Sequence, residues 1–254
     1  MLLPRLRLAC DDGEGTDLTE VYDRLDALEA EVLEAEVEVL EEENASLVDT
    51  ISLVADLSDY IIVDTSTDSV VFRGANVFIQ SGSGYTSDNG ALLGLGNLFI
   101  GYNEDTDSDE DQSGSHNLVV GDENSFTSYA GVVLGYDNVV SSPHSTVSGG
   151  RENEANGNYA IVVGGYRNAV TDGLYGAVLS GEGNDVSGNY ATTSGGSFNV
   201  ASGVQATVSG GREGQASAYN SAISGGLSNT ASGSYSSVSG GTYNTASGEC
   251  DYAP

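Results

Sequence analysis

Apolar positions along this chain follow two different periods, and the change of period divides it. The first set is Leu18, Val21, Leu25, Leu28 and Val32, in steps of three and four residues. A second set, Leu33, Val37, Leu40, Asn44, Leu47, Ile51 and Val54, keeps those steps after a slip of one position. That is a heptad seam of about five repeats, and no Gly or Pro interrupts residues 18–58. It predicts one long helix, with Asp17 as N-cap and Glu20 three residues on as in a capping box. So narrow a stripe has nothing else in this chain to pack on, which predicts a homo-oligomeric coiled coil. In the second register Val37, Asn44 and Ile51 take the a positions and leucines the d positions, a pattern that leans toward a parallel dimer.

Residues 60–80, YIIVDTSTDSVVFRGANVFIQ, set short runs of β-branched and aromatic residues between turn signals and predict strands. Residues 81–96, SGSGYTSDNGALLGLG, read as loop. From Asn97 the chain repeats itself about every fifteen residues, loosely V-S-G-G-x-x-N-x-A-S-G-x-Y, with the cleanest copies at Val147, Val208, Ile223 and Val238. Earlier copies, NLFIGYN from Asn97, NLVVGDEN from Asn117 and GVVLGYDN from Gly131, are more apolar, and the copies number about ten. Helical repeats need about 30 residues or more, so this period predicts a β-solenoid with coils ~4.8 Å apart.

Its columns have physical roles. Val147, Val162, Val208, Ile223 and Val238 would point inward, with the small residues Ala155, Ala201, Ala216, Ala231 and Ala246. Gly165, Gly181, Gly196, Gly211, Gly226 and Gly241 suit corners needing positive φ. Asn153, Asn168, Asn184, Asn199, Asn229 and Asn244 would form a hydrogen-bonded ladder along the axis, with one double step across Gly214. Tyr159, Tyr175, Tyr190 and Tyr235 mark a further column, at the surface or at a subunit boundary. A coil this thin buries little apolar area, so packing against sister chains is expected. The organisation predicted is an N-terminal segment over 1–16, a coiled coil over 17–58, a β-rich adaptor over 59–96 and a β-roll head over 97–254. The fold class is mostly β with one long α-helix.

Charge narrows the partners. Thirty-eight acidic residues face seven basic ones, all Arg, for a net charge of −31. Such a chain repels nucleic acid and anionic membrane surfaces. Glycine is abundant, at 35 residues, without the three-residue period of collagen. No apolar run reaches the ~18–20 residues of a membrane span. The two cysteines, Cys10 and Cys250, stand at opposite ends, too far apart for a bridge in an elongated chain. Leu8-Ala9-Cys10 before acidic sequence has the form of a bacterial lipoprotein acceptor, which would lipidate Cys10. Arg7 and the missing apolar region favour the plainer reading, a free cysteine in a disordered tail.

Candidate chemistry is sparse. Asp105, Asp107, Asp109 and Asp111 alternate in NEDTDSDEDQSG, and Asp105, Asp107 and Asp109 are the candidate Ca²⁺ ligands. Glu110 and His116 stand where an EF-hand loop needs Gly and Glu, which makes a solvated acidic loop the better reading. His116 and His144 have no nucleophile or positioning group at recognisable spacing, and Ser209, Ser224 and Ser239 simply follow the repeat. The expectation is a non-enzyme without cofactor. A polysaccharide-active β-helix is the catalytic alternative.

The run ASGSYSSVSGGTYNTASG from Ala231 to Gly248 resembles the head repeats of trimeric autotransporter adhesins, the YadA-like left-handed parallel β-roll, and the resemblance covers roughly residues 97–248. It implies three chains packed together, and so a homotrimer in preference to the dimer of the seam. It also implies an extracellular or cell-surface module that binds host, matrix or glycan surfaces. Here the coiled coil precedes the head, and the chain ends in GECDYAP without that family's membrane-anchor barrel. Attachment would then run through a lipid on Cys10 to a bacterial outer membrane, or through incorporation into a virion as a phage-type tail fibre. A truncated gene is the remaining reading.

Overall fold

The computed structural model describes residues 18–104 and 110–254, in two compact units that meet between Val77 and Phe78. The chain is mostly β with one long helix and a parallel β-solenoid of about fifteen-residue coils.

The first unit holds helix α1, Leu18–Leu57, and a hairpin of β1 (Ile61–Asp64) and β2 (Ser69–Phe72). The hairpin is antiparallel, with Ile61 opposite Phe72 and Asp64 opposite Ser69. Asp64 fixes its turn, accepting from the Ser66 amide at 2.9 Å and the Ser66 hydroxyl at 2.6 Å. The seam residues of α1 from Val21 to Val54 face solvent; the least exposed of the described large side chains on this helix, Leu25, keeps 41% of its surface. Helix formation therefore draws nothing from burial within the chain, and its apolar stripe is unpartnered there.

In the second unit each turn of the solenoid contributes one short strand to each of two parallel sheets. The large sheet has eleven strands, from Leu98–Ile100 to Tyr252–Ala253, and the small sheet nine, from Ser125–Phe126 to Thr245–Ala246. Every strand pairs with its counterpart one turn away: Ile161–Val162 lies between Thr146–Val147 and Ala177–Val178. Nine turns carry a strand in both sheets, one fewer than the repeats suggest. Among the described residues the copy at Asn97 supplies only the large-sheet strand Leu98–Ile100.

The core is a stack of inward columns. The large sheet contributes Val119, Val133, Val147, Val162, Val178, Thr193, Val208, Ile223 and Val238; the small sheet contributes Phe126, then Val140, Ala155, Val170, Val186 and alanines from Ala201 on. All are at most 1% exposed. A third column of small residues closes each turn, and its members answer the bulk beside them. Ala160, Ala191 and Ala206 are buried there, but where Val170 and Val186 both face inward the position is Gly176. A Cβ on Gly176 would lie 2.7 Å from a Val170 methyl.

Each turn has three left-handed positions, and glycine holds only one of them consistently. That is the column of Gly165 (φ 101°) and its equivalents. The other two corners carry larger residues, such as Tyr159 (φ 60°) and Arg167 (φ 54°). Bulky residues there cost roughly 1–2 kcal/mol each in backbone sterics. Hydrogen bonds between turns hold them: Tyr159 donates its amide to the Pro143 carbonyl, and Arg167 to the Arg151 carbonyl, both at 3.1 Å. The expectation of glycine corners thus covers one corner in three.

Candidate functional site

Inside the solenoid, Asn153, Asn168, Asn184 and Asn199 form one buried column. Asn168 shows the pattern. Its backbone amide donates to Asn153 Oδ1 at 3.0 Å and its Nδ2 to the same oxygen at 3.2 Å. Nδ2 also donates to the Gly164 and Gly181 carbonyls, at 3.0 and 2.9 Å. Asn168 Oδ1 in turn accepts from Asn184. A buried amide is stable only when so satisfied. The glycine corner follows from this packing, because a Cβ on Gly165 would come within 2.5 Å of Asn168 Nδ2. Asn229 and Asn244 continue the column beyond Gly214. The column also extends backward through Asn138 and Asn124 to Asn103. Those three end the aliphatic-Gly copies NLFIGYN, NLVVGDEN and GVVLGYDN, and that shared ending is the signal that places them in the ladder.

Residues 81–96, read from sequence as loop, fold over the first turn of the roll, together with residues 78–80, which the sequence predicts as strand and the structure leaves without regular structure. Asp88, 4% exposed, accepts from the hydroxyls of Ser81 (2.5 Å) and Ser83 (2.7 Å) and from the Leu93 amide (2.9 Å). Serine hydroxyls, that of Ser115 foremost, hold its carboxyl well below the usual carboxylate range. His116 pins the same segment: Nε2 accepts from the Ser81 amide at 3.1 Å, which leaves the proton on Nδ1 facing the Thr86 carbonyl at 2.9 Å. His116 also lines a pocket of about 370 Å³ with Phe78, Ile79 and Tyr85.

On the outside, three surfaces differ in chemistry. One corner gathers the arginines of the roll. Arg151 and Arg167 both pair with Glu152, which lowers the pKa of its carboxyl, chiefly through Arg167; Arg151 lies over the Tyr136 ring at 5.0 Å. A hydrogen bond to Glu123 pushes the Tyr136 hydroxyl up to about 12. Arg212 pairs with Glu213 at 3.0 Å and lies 5.8 Å from the Phe198 ring centre. The three arginines of these pairs are exposed, so each pair adds little stability.

The second surface is the outer face of the large sheet. From Val132 to Ser239 the positions flanking each buried residue, such as Thr146, Ile161 and Val163, are Val, Leu, Ile, Ala, Thr or Ser throughout. The seven carboxylates and three arginines of that stretch all lie elsewhere. The small sheet, by contrast, presents Glu154 and Asp185 outward.

The third surface is an aromatic corner. His144, Tyr159, Tyr175 and Tyr190 stack on successive turns, with ring centres 5.2, 4.9 and 5.3 Å apart and planes within 18° of parallel. The three tyrosines remain 43–54% exposed. Tyr235 is separated from them by Gln205 and Asn220 and meets Tyr219 edge-on. His144, with no assigned place in the sequence pattern, is thus the first rung of the tyrosine column.

Cys10 and the Asp105, Asp107 and Asp109 set lie outside the described residues. Among the described residues no three His, Cys, Asp or Glu side chains converge as a metal group, and no helix is long and apolar enough to cross a membrane. Cys250 is exposed, with a free thiol. No protein-family model matches the sequence, and a search of curated proteins finds no match to it.

Proposed function

We propose that this protein is a non-enzymatic, extracellular fibre module of the adhesin-like kind, assembled as a homotrimer and holding surfaces through many weak contacts. The observation that carries the reading is the uncharged outer face of the large sheet in a chain of net charge −31. Chains so acidic repel one another unless their contact surface is free of charge. An even, uncharged face is such a surface, and burying it adds the apolar area that a thin coil lacks. The solvent-facing heptad stripe of α1 supports the same conclusion independently. Repetition then multiplies any weak contact, along the turns and across the chains. Ser209, Ser224 and Ser239 occupy equivalent places in this face, which supports reading them as repeated surface positions.

Light scattering on the full chain tests the assembly. Three times the chain mass is expected. Twice the chain mass overturns the trimer, and a folded monomer overturns self-association. Retention of the protein on carbohydrate- or matrix-coated surfaces, weakened disproportionately when the assembly is dissociated, tests multivalent binding.

A further inference from the structure

The aromatic corner has features that its contribution to stability leaves unexplained. His144, Tyr159, Tyr175 and Tyr190 hold left-handed backbone, with φ between 57° and 60°. Glycine adopts this conformation freely and a bulky residue does not. The equivalent residues on the following turns, Gln205 and Asn220, show that a ring is not needed there for the coil to close. Near-parallel rings with centres 4.9–5.3 Å apart are offset rather than eclipsed, so each keeps part of its surface and its outer edge in water.

The surroundings define the ligand chemistry. Asn158 and Asn189, both exposed, stand beside Tyr159 and Tyr190. Asn189 Oδ1 accepts from the Leu174 amide at 3.0 Å, which leaves its Nδ2 hydrogens for another partner. In the chain segments around these rings, 141–145, 156–160, 171–176 and 187–191, Asp172 is the one Asp, Glu or Arg. Rings, amides and phenol hydroxyls without strong charge suit a neutral ligand with apolar faces and equatorial hydroxyls, as a pyranose ring has. The even step adds a second condition: a polymer in register must advance one unit per turn. An extended β-1,4-linked glucan advances by nearly that distance per sugar, whereas an α-1,4-linked chain curls away from a straight column.

We infer that His144, Tyr159, Tyr175 and Tyr190, with Asn158 and Asn189, form a binding strip for a neutral, extended β-1,4-linked glucan laid along the solenoid axis. The inference rests on the surface-binding reading above, and it is independent of the number of chains in the assembly.

Titration calorimetry of the full chain with cellohexaose, and with maltohexaose as the bent control, tests it. Cellohexaose should bind, and maltohexaose at least tenfold more weakly. A triple variant, Tyr159→Gly, Tyr175→Gly and Tyr190→Gly, should weaken cellohexaose at least tenfold. Glycine fits these φ values, so the melting temperature, read by circular dichroism, reports whether the fold is intact. Replacing the same three tyrosines by Phe keeps the rings and should give an intermediate loss. Absence of cellohexaose binding, equal affinity for both sugars, or an unchanged affinity in the glycine variant overturns the strip. Light scattering on the same samples separates the two ideas. A trimer that ignores cellohexaose overturns the strip alone. A glycine variant with a reduced assembly mass makes the corner a chain–chain contact and overturns it as a glucan site.

Discussion

Gly214 donates its backbone amide to Asn199 Oδ1 at 2.8 Å but offers no side-chain oxygen to Asn229 on the next turn. The asparagine ladder is therefore continuous in one direction and interrupted in the other. Gly214 lies outside the left-handed region, and a Cβ there would meet Asn199 Oδ1 at 3.0 Å, a tight contact that this side chain must yield to by a few tenths of an ångström. Gly214→Asn should restore two hydrogen bonds to the Asn229 amide and Nδ2, at about 1 kcal/mol each, and remove the glycine's unfolded-state freedom. The expected result is a stabilisation of about 1–3 kcal/mol, read as a rise in melting temperature of several degrees by circular dichroism. Gly214→Ala is the control, because it meets the same Asn199 contact without restoring the ladder. A glycine-to-asparagine variant that melts no higher than the alanine variant refutes the argument.

Thr193 interrupts the valine column between Val178 and Val208, fully buried, and its Oγ1 has no hydrogen-bond partner. A buried hydroxyl without a partner costs about 1–3 kcal/mol. Thr193→Val replaces it with a methyl of nearly the same shape and should stabilise by that order in urea denaturation. Thr245→Val, exposed and outward on the small sheet, should change stability by less than about 0.5 kcal/mol. Equal effects at the two positions would show that β-propensity, not the orphaned hydroxyl, is being measured.

These two sites illustrate what was legible beforehand. The inward columns of Val162 and Ala201, the glycine column and the ladder from Asn153 to Asn244 were readable because a strict repeat exposes each position many times. The heptad period of α1 was readable for the same reason. What escaped were features without a period. Residues 81–96 are rich in Ser and Gly and carry no alternation, yet Asp88 orders them through bonds to Ser81, Ser83 and Leu93, and His116 through bonds to Ser81 and Thr86 at least 30 residues away. His144 escaped because the column is defined by backbone conformation and ring stacking, and its members differ in residue type. The left-handed corners at Tyr159 and Arg167 escaped because neither residue type signals positive φ.

The Asp88 network makes the cap sensitive to acid. A carboxyl whose folded pKa is depressed contributes stability that is fully present above its unfolded pKa, about 3.8 here, and is lost as pH falls through the lower folded pKa. The amides of Leu93 and Gly94, which donate to Asp88 and Ser115, should keep their hydrogen-exchange protection from neutral pH down to about pH 4 and lose it in stronger acid. Asp88→Asn should reduce that protection at every pH and flatten its acid dependence. Protection that falls instead between pH 7 and 5 would assign the transition to another group.

Helix α1 should respond to salt more than the solenoid does. Between Glu29 and Glu43 it carries eight glutamates, and Arg24 is its only basic residue. Pairs such as Glu34 with Glu38 lie four residues apart on one face and oppose the helix by about 0.2–0.5 kcal/mol each. Glu36, Glu41 and Glu43 fall at the positions flanking the seam, where association would bring like charges from different chains together. Raising ionic strength from about 0.01 M to about 1 M shortens the screening length from about 30 Å to about 3 Å, which removes most of this repulsion. Far-ultraviolet helicity of the full chain should therefore rise with NaCl, together with the mass seen by light scattering. Replacing Glu36, Glu41 and Glu43 by Gln should give the high-salt behaviour already at low salt. The solenoid should move little, because its arginines are paired locally with Glu152 and Glu213. Salt-independent helicity and mass, with the glutamine variant indistinguishable from the parent, would mean that charge repulsion does not limit pairing of the seam.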